Sequence, residues 1–333
     1  MMKIRTTILL IIGLLAISGW GIMRKETNEQ PLTNQSTTTP LKNSTQQTNH
    51  TLPKWMTDVI PKSEKEASDQ FNILILGTDE RKSEPSRADV LMVANVNPKE
   101  NSWKIISFMR DLYVPIADNN GWSKLNHAYA FGGEDLVEKT IEDTFGVQID
   151  YKAKINFEGF ARLAADVFPE GYKTTVTQGM IDYFKWDLQP GEQTLKGQQI
   201  LEYVRYRDPI KSDFGRVERQ QQVLADAVSY WKSLSKDGIP FQEMMRVVQS
   251  GRSVIKTNVP LTELVQVGLD SISNSPNVEL LRIPTEGTYV TKRTNDGLVL
   301  DFELSQNVVE INKFWGEGTP SIETTKVILQ QDH

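Results

Sequence analysis

The sequence predicts an α/β domain behind one apolar N-terminal segment. Three observations lead there. FNILILG (71–77), ADVLMVANV (88–96) and WKIISFM (103–109) are short apolar runs bounded by turn residues, which read as strands. Residues 132–146, residues 158–168 and the stretch from Arg216 place apolar side chains at helical spacing. Residues 6–23, TTILLIIGLLAISGWGIM, carry no charge and precede Arg24-Lys25. A helix that spans a bilayer needs about 20 such residues.

Taken in order, residues 1–25 read as a transmembrane anchor. A cleaved signal peptide is the alternative, but no Ala-x-Ala pattern closes the run and no cysteine exists for lipidation. Residues 26–60 are rich in Thr, Asn, Ser and Gln and read as a flexible linker. Residues 61–240 form the core of the folded domain, and residues 241–333 a C-terminal part packed on it.

Sequence neighbours tend to be neighbours in space, so the three strands are expected to pair antiparallel. The first then ends at Asp79. The second starts at the same edge with Arg87 and Asp89, and the third returns to end at Arg110-Asp111. That topology gathers Asp79, Arg87, Asp89 and Arg110 at one edge.

GGEDLVEKTIEDTFG (132–146) reads as a helix stopped by Gly146. YKAKINF (151–157) alternates like a strand, and EGFARLAADVF (158–168) is a short amphipathic helix. Residues 169–196 are expected to be loop-rich, with a turn at Gln189-Pro190-Gly191. In GQQILEYVRYR (197–207), alternation would put Arg205 and Arg207 on one strand face. From Arg216 a long helix follows, with a core stripe of Leu224, Ala227/Val228, Trp231 and Leu234. Arg216, Arg219 and Gln220 share one of its faces. Arg216 would sit at its positive end, which favours anions. LTELVQVGL and VELLRI are further helix and strand candidates.

Composition narrows the chemistry. Net charge is -6, against a general nucleic-acid binder. The absence of cysteine excludes thiol nucleophiles, disulfides and Cys-ligated zinc. The histidines are His50, His127 and His333 only. The mixed Asp and Arg clusters are either solvated surface or a site needing both a metal cation and guanidinium groups, as a phosphate site does. Arginine is the better bidentate partner for phosphate oxygens, and hard carboxylates suit Mg²⁺.

The ordered series NILILGTDER, SRADVLM, a strand ending in RD, KLNHAYAFGG, YVRYR and DFGRVERQ resembles the LytR-CpsA-Psr (LCP) family over residues 71–230. VIKTNVPLTELV (254–265) is similar too. The resemblance implies a mixed β-sheet flanked by helices on both faces. It implies a single-pass protein of the cell membrane, with a cytoplasmic N-terminus and an extracellular C-terminal domain. The implied activity transfers a glycopolymer, such as wall teichoic acid or capsule, from a polyprenyl-diphosphate carrier to a peptidoglycan hydroxyl, with Mg²⁺ (or Mn²⁺) and no nucleic acid. It implies that Asp79 and Asp89 hold the metal. Arg87, Arg110, Arg205, Arg207, Arg216 and Gln220 would contact the diphosphate. Arg110 and Arg207, with Asp213 at an acidic family position, would form the catalytic set, supported by Arg81, Arg219 and His127. The helices at 134–145, 158–168 and 217–234 would supply apolar faces for the carrier's tail. Two departures stand out: Met109 replaces a usual proline, and VFPEGYKTTV replaces a Gly-Gly-Val stretch. A polyprenyl-diphosphate hydrolase and a membrane-bound regulator of cell-envelope expression are the competing readings.

Overall fold

The structure is a computed structural model and describes residues 70–79, 87–210, 212–235, 241–260, 263 and 277–316. The expected anchor, the linker, Arg81 and most of LTELVQVGL lie outside the described residues. Among those described, no helix is long and apolar enough to cross a membrane.

The centre is a mixed six-stranded sheet. Strands β1 (Phe71–Asp79), β2 (Arg87–Asn97) and β3 (Ser102–Phe108) pair antiparallel, as their direction along the chain predicts. β6 (Tyr151–Asn156) joins β1 in parallel. The C-terminal part supplies both edges. There, β9 (Ile255–Thr257) pairs antiparallel with β6, and β10 (Asn277–Ile283) pairs parallel with β3.

Strand alternation sends side chains to two cores. Leu74, Leu76, Leu91, Val93, Ile106 and Phe108 pack against α1 (His127–Phe145) through Val137, Ile141 and Phe145. On the other face Ile73, Val96 and Trp103 meet α2 (Phe157–Val167), α4 (Gln198–Arg205) and α5 (Ser212–Ser235). α1 begins earlier than its spacing predicts and breaks at Gly132 and Gly133, the latter at φ 69°. The kink changes the direction of its first turn, which exposes Phe131 while Ala128 stays buried in the core.

Smaller pieces complete the fold. Hairpin β4 (Tyr113–Pro115) and β5 (Trp122–Lys124) follows β3. Hairpin β11 (Tyr289–Thr294) and β12 (Gly297–Phe302) precedes α7 (Leu304–Trp315). α6 (Phe241–Val254) leads into β9.

Three sequence expectations are corrected. Residues 169–196 are not mainly loop: they form β7 (Tyr172–Val176), α3 (Gln178–Phe184) and β8 (Gly191–Leu195). Those strands are polar, burying little beyond Tyr172, Val176 and Leu195, so no apolar run betrays them. Arg205 and Arg207 do not share a strand face. Ile200, Leu201, Tyr203 and Val204 are all buried, a helical spacing, so α4 runs to Arg205 and leaves Arg207 in the following loop. Finally, α5 begins at Ser212, with Asp213 in its first turn where the dipole favours an acid, so Arg216 lies one turn in.

Candidate active site

The site forms where β1 and β3 end and β2 begins. In the β1–β2 register Gly77 faces Val90 and Thr78 faces Ala88, so Asp89 is the extra residue of a bulge. A bulge re-aims its side chain. Gly77 permits the close approach: a Cβ there would lie 2.8 Å from Val90 Cβ. Arg110 follows β3, and the rest of the chain holds its backbone from two sides. Asn126 N–H donates to Arg110 O at 3.1 Å, and Leu125 N–H to Leu112 O at 2.9 Å. From the C-terminal part, Leu300 N–H donates to Asp111 O at 2.8 Å. Met109 N–H donates to Ile283 O at 2.9 Å, a bond that proline could not make.

Five of the expected residues are joined in one ion network. Arg110 Nη1 donates to Asp89 Oδ1 at 2.5 Å, and its Nε to Asp213 Oδ2 at 3.0 Å. Arg216 Nη2 donates to the same Asp213 oxygen at 3.3 Å, while Arg207 Nε stands 3.1 Å from Asp213 Oδ1. Asp111, unassigned by the sequence reading, is the sixth member. Its Oδ2 lies 3.4 Å from Arg110 Nε, and its Oδ1 accepts from Lys124 Nζ at 2.8 Å. Its only signal in the sequence is its place beside Arg110.

The network sets the charges. Burial disfavours the charged form of Arg110, but Asp213, Asp89 and Asp111 outweigh it and push the guanidinium pKa up. Burial, with a hydrogen bond shared with Asp213, pushes the Asp111 carboxyl up. Burial pushes Asp213 the same way, but the Asp111 hydrogen bond and the Arg216 and Arg110 guanidinium groups hold it below the usual carboxylate range.

The remaining residues sit around this network. Asp79 ends β1 opposite Arg87, which is exposed. Arg205 lies with its guanidinium 4.2 Å from the Phe157 ring centre. Gln220 Nε2 donates to Val204 O at 3.4 Å. Arg219 turns away from the network. Its Nε donates to Tyr203 O at 3.1 Å and its Nη2 to Tyr206 O, so a cation closes the C-terminus of α4. His127 Nδ1 lies 2.9 Å from Ser123 Oγ, which donates to Asp296 Oδ2 at 2.9 Å. Burial lowers the His127 pKa, with Arg87 and Lys124 adding to it and Asp296 opposing.

Behind the network lies a cavity of about 160 Å³. Ile75, Met92, Ala94 and Ile105 form its sheet wall. Phe160, Leu163 and Val167 of α2, Leu201 and Val204 of α4, and Val223, Leu224 and Ala227 of α5 form the helical wall. The polar side chains on it are Asp89, Asn156, Arg205, Arg216 and Gln220. Arg216 is 4% exposed and its Nε has no hydrogen-bond acceptor. A buried guanidinium N–H without a partner is costly, and an anion placed there would satisfy it. An apolar cavity of about 150 Å³ stays dry and accepts a small hydrocarbon. The helix at 134–145 does not line the cavity. It belongs to α1 on the opposite sheet face, and α4 takes its place.

Known proteins share this architecture. The chain is 32% identical to the regulatory protein MsrR of Staphylococcus aureus (strain COL), over 74% of this chain and 75% of that one. It is 33% identical to the polyisoprenyl-teichoic acid–peptidoglycan teichoic acid transferase TagU of Bacillus subtilis (strain 168), over 70% and 76%. Among solved structures it matches TagT bound to LIIa-WTA, with a TM-score of 0.58, 27% identity, and coverage of 81% of this chain and 95% of that one. It also matches YwtF (TagT) with bound octaprenyl pyrophosphate lipid, with a TM-score of 0.55, 26% identity, and coverage of 78% and 95%; TagT is a B. subtilis protein. The LytR_cpsA_psr family model matches residues 31–312, and the chain belongs to the LytR-CpsA-Psr family.

Proposed function

We propose that this protein transfers an anionic glycopolymer from a polyprenyl-diphosphate carrier to a hydroxyl of peptidoglycan, forming a phosphodiester. One observation carries the reading: a single cavity is apolar along its body and carries Asp89, Arg205, Arg216 and Gln220 among its lining. That pairing suits a ligand with a hydrocarbon tail and a diphosphate head. TagT, solved with octaprenyl pyrophosphate, and TagU, named for teichoic acid transfer, support the assignment.

The chemistry follows from the network. Cleaving a polyprenyl diphosphate spreads negative charge over phosphoryl oxygens and the leaving phosphate, and fixed cations lower that barrier. Arg110 and Arg216 are held in place by Asp89 and Asp213, so they need little reorganisation when charge develops. Arg207, paired with Asp213 and about half exposed, would meet the departing group from the solvent side.

Mg²⁺ (or Mn²⁺) fits the donor set as a shared ion. No group of three or more His, Asp or Glu side chains among the described residues is placed to hold a metal alone. Asp79 and Asp89 are hard oxygen donors near the network, and Mg²⁺ typically takes one or two carboxylates, with phosphate oxygens and water completing its shell. When bound, the ion would neutralise phosphate charge. Residues 6–23 would anchor the protein in the cell membrane, with the domain on the outer side beside its lipid-linked donor.

The name of MsrR keeps a regulatory reading in view, but regulation alone leaves the buried arginine network unexplained. Purified protein given a labelled polyprenyl-diphosphate glycopolymer and peptidoglycan tests the proposal. Label covalently attached to peptidoglycan, lost in Asp89→Ala, is the expected result. Free polymer phosphate alone would make the protein a hydrolase, and no donor turnover would return it to the regulators.

A further inference from the structure

Hairpin β4–β5 continues the chain directly from Arg110-Asp111, and its two faces differ sharply. Val114 and Ser123 point inward and are buried. On the opposite face the register sets Tyr113 beside Lys124 and Pro115 beside Trp122. Lys124 ties this face to the network through Asp111 at 2.8 Å. Beyond it the Tyr113 and Trp122 rings lie with their centres 5.5 Å apart, tilted by 38° to one another. Trp122 is 49% exposed, although an indole gains much by burial. Neither aromatic lines the cavity, so the carrier's tail does not account for them.

We propose that this hairpin face is the acceptor subsite, and that Tyr113 and Trp122 form a platform for one sugar ring of a peptidoglycan glycan strand. The inference rests on the transferase reading and deepens it. A pyranose ring presents a face of C–H groups with partial positive charge, which complements the negative face of an indole. Its hydroxyls lie at the rim, where the Lys124 ammonium can meet them. Stacking on a wall joined to Asp111 would bring a neighbouring sugar hydroxyl toward the phosphoryl group held by Arg110. The donor's tail occupies the cavity between the sheet and α2, α4 and α5, so the hairpin face stays available to the second substrate.

The test is direct binding of uncross-linked glycan-strand oligomers to the full chain, measured by calorimetry without donor. Trp122→Ala is expected to weaken binding about tenfold, the scale of one aromatic contact, whereas Trp122→Phe keeps most of it. Tyr183→Ala removes another exposed aromatic, 68% exposed and on α3, and should bind like wild type. Hydroxyl-radical footprinting of the wild-type protein covers the case of a misfolded variant: glycan should protect Trp122. Unchanged affinity in Trp122→Ala, or an unprotected Trp122, overturns the subsite. Failure of the wild type to attach polymer to peptidoglycan overturns the transferase reading instead, and binding and transfer are scored separately.

Discussion

The two faces of the central sheet are built from alternate residues of the same strands, yet they pack differently. On one face Leu74, Leu76, Val93, Ile106 and Phe108 close tightly on α1, with the Phe108 and Phe145 rings 4.7 Å apart. On the other, Ile75, Met92, Ala94 and Ile105 stand across a gap from α2, α4 and α5. Small residues recur on the open side: Gly77, Ala94, Ala164 and Ala227 all line it. Protein interiors are usually packed to crystal density, so a gap of this size forgoes stabilisation. The contrast teaches that the open face combines a buried core, with Ile73, Val96 and Trp103, and room for a guest, while the closed face is packed throughout.

The largest effect expected is in the ion network beside the open face. Arg110→Ala should lower donor turnover about 10²–10³-fold, by analogy with the loss of one positioned donor in an oxyanion hole. It also strips a cation from Asp89, Asp111 and Asp213, and breaking a buried pair in this way costs about 3–5 kcal/mol. Turnover and denaturant melts measure the two losses, and wild-type turnover would break the link between the network and the chemistry.

A matched pair of overpacking changes sharpens the contrast itself. Ala128→Leu, on the closed side, should destabilise by about 1–3 kcal/mol. Ala94→Leu has room to point into the gap, so it should cost about 1 kcal/mol or less while sharply weakening binding of octaprenyl diphosphate. Equal destabilisation by both would mean that the two faces are packed alike.

The smallest effect is a pH dependence. The Asp111 carboxyl is raised, so the folded protein binds its proton more tightly than the unfolded chain does. Its contribution is present below the unfolded value of about 3.9 and is lost as pH rises through the folded one. Asp213 is depressed, so its contribution is lost as pH falls through its folded value. The stability of the wild type relative to Asp111→Asn should therefore improve as pH is lowered from neutral toward about 4. Parallel melting curves across that range would refute the shared proton.

Much of the candidate site's edge was legible because it depends on chain neighbours. Three apolar runs in succession specify two antiparallel pairings, and these alone bring Asp89 near Arg110. The LNHAY segment was legible as a motif but not as a device: its amides, which clasp the Arg110 turn, carry no side-chain signature. Arg205 and Arg207 were misplaced because an eight-residue helix that ends in Tyr203-Val204-Arg205 reads equally well as a strand. The polar hairpin β7–β8 lacks the apolar alternation that would reveal it. Ile283 and Leu300 reach the site through backbone groups from nearly two hundred residues away, beyond any local pattern. The cavity is defined by what several elements leave unfilled, which no single segment encodes.

Asp213 lies within ion-pair distance of Arg110, Arg207 and Arg216 at once. It acts as a resident counter-ion for the basic cluster. An incoming anion must compete with it, and a simple monovalent ion brings too little charge to loosen three guanidinium groups from a partner already in place. A ligand with two linked phosphates offers several oxygens together, and its gain is cooperative. If the arginines bind the diphosphate, the same carboxylate that steadies them would work as a threshold against the common small anions of the surrounding fluid.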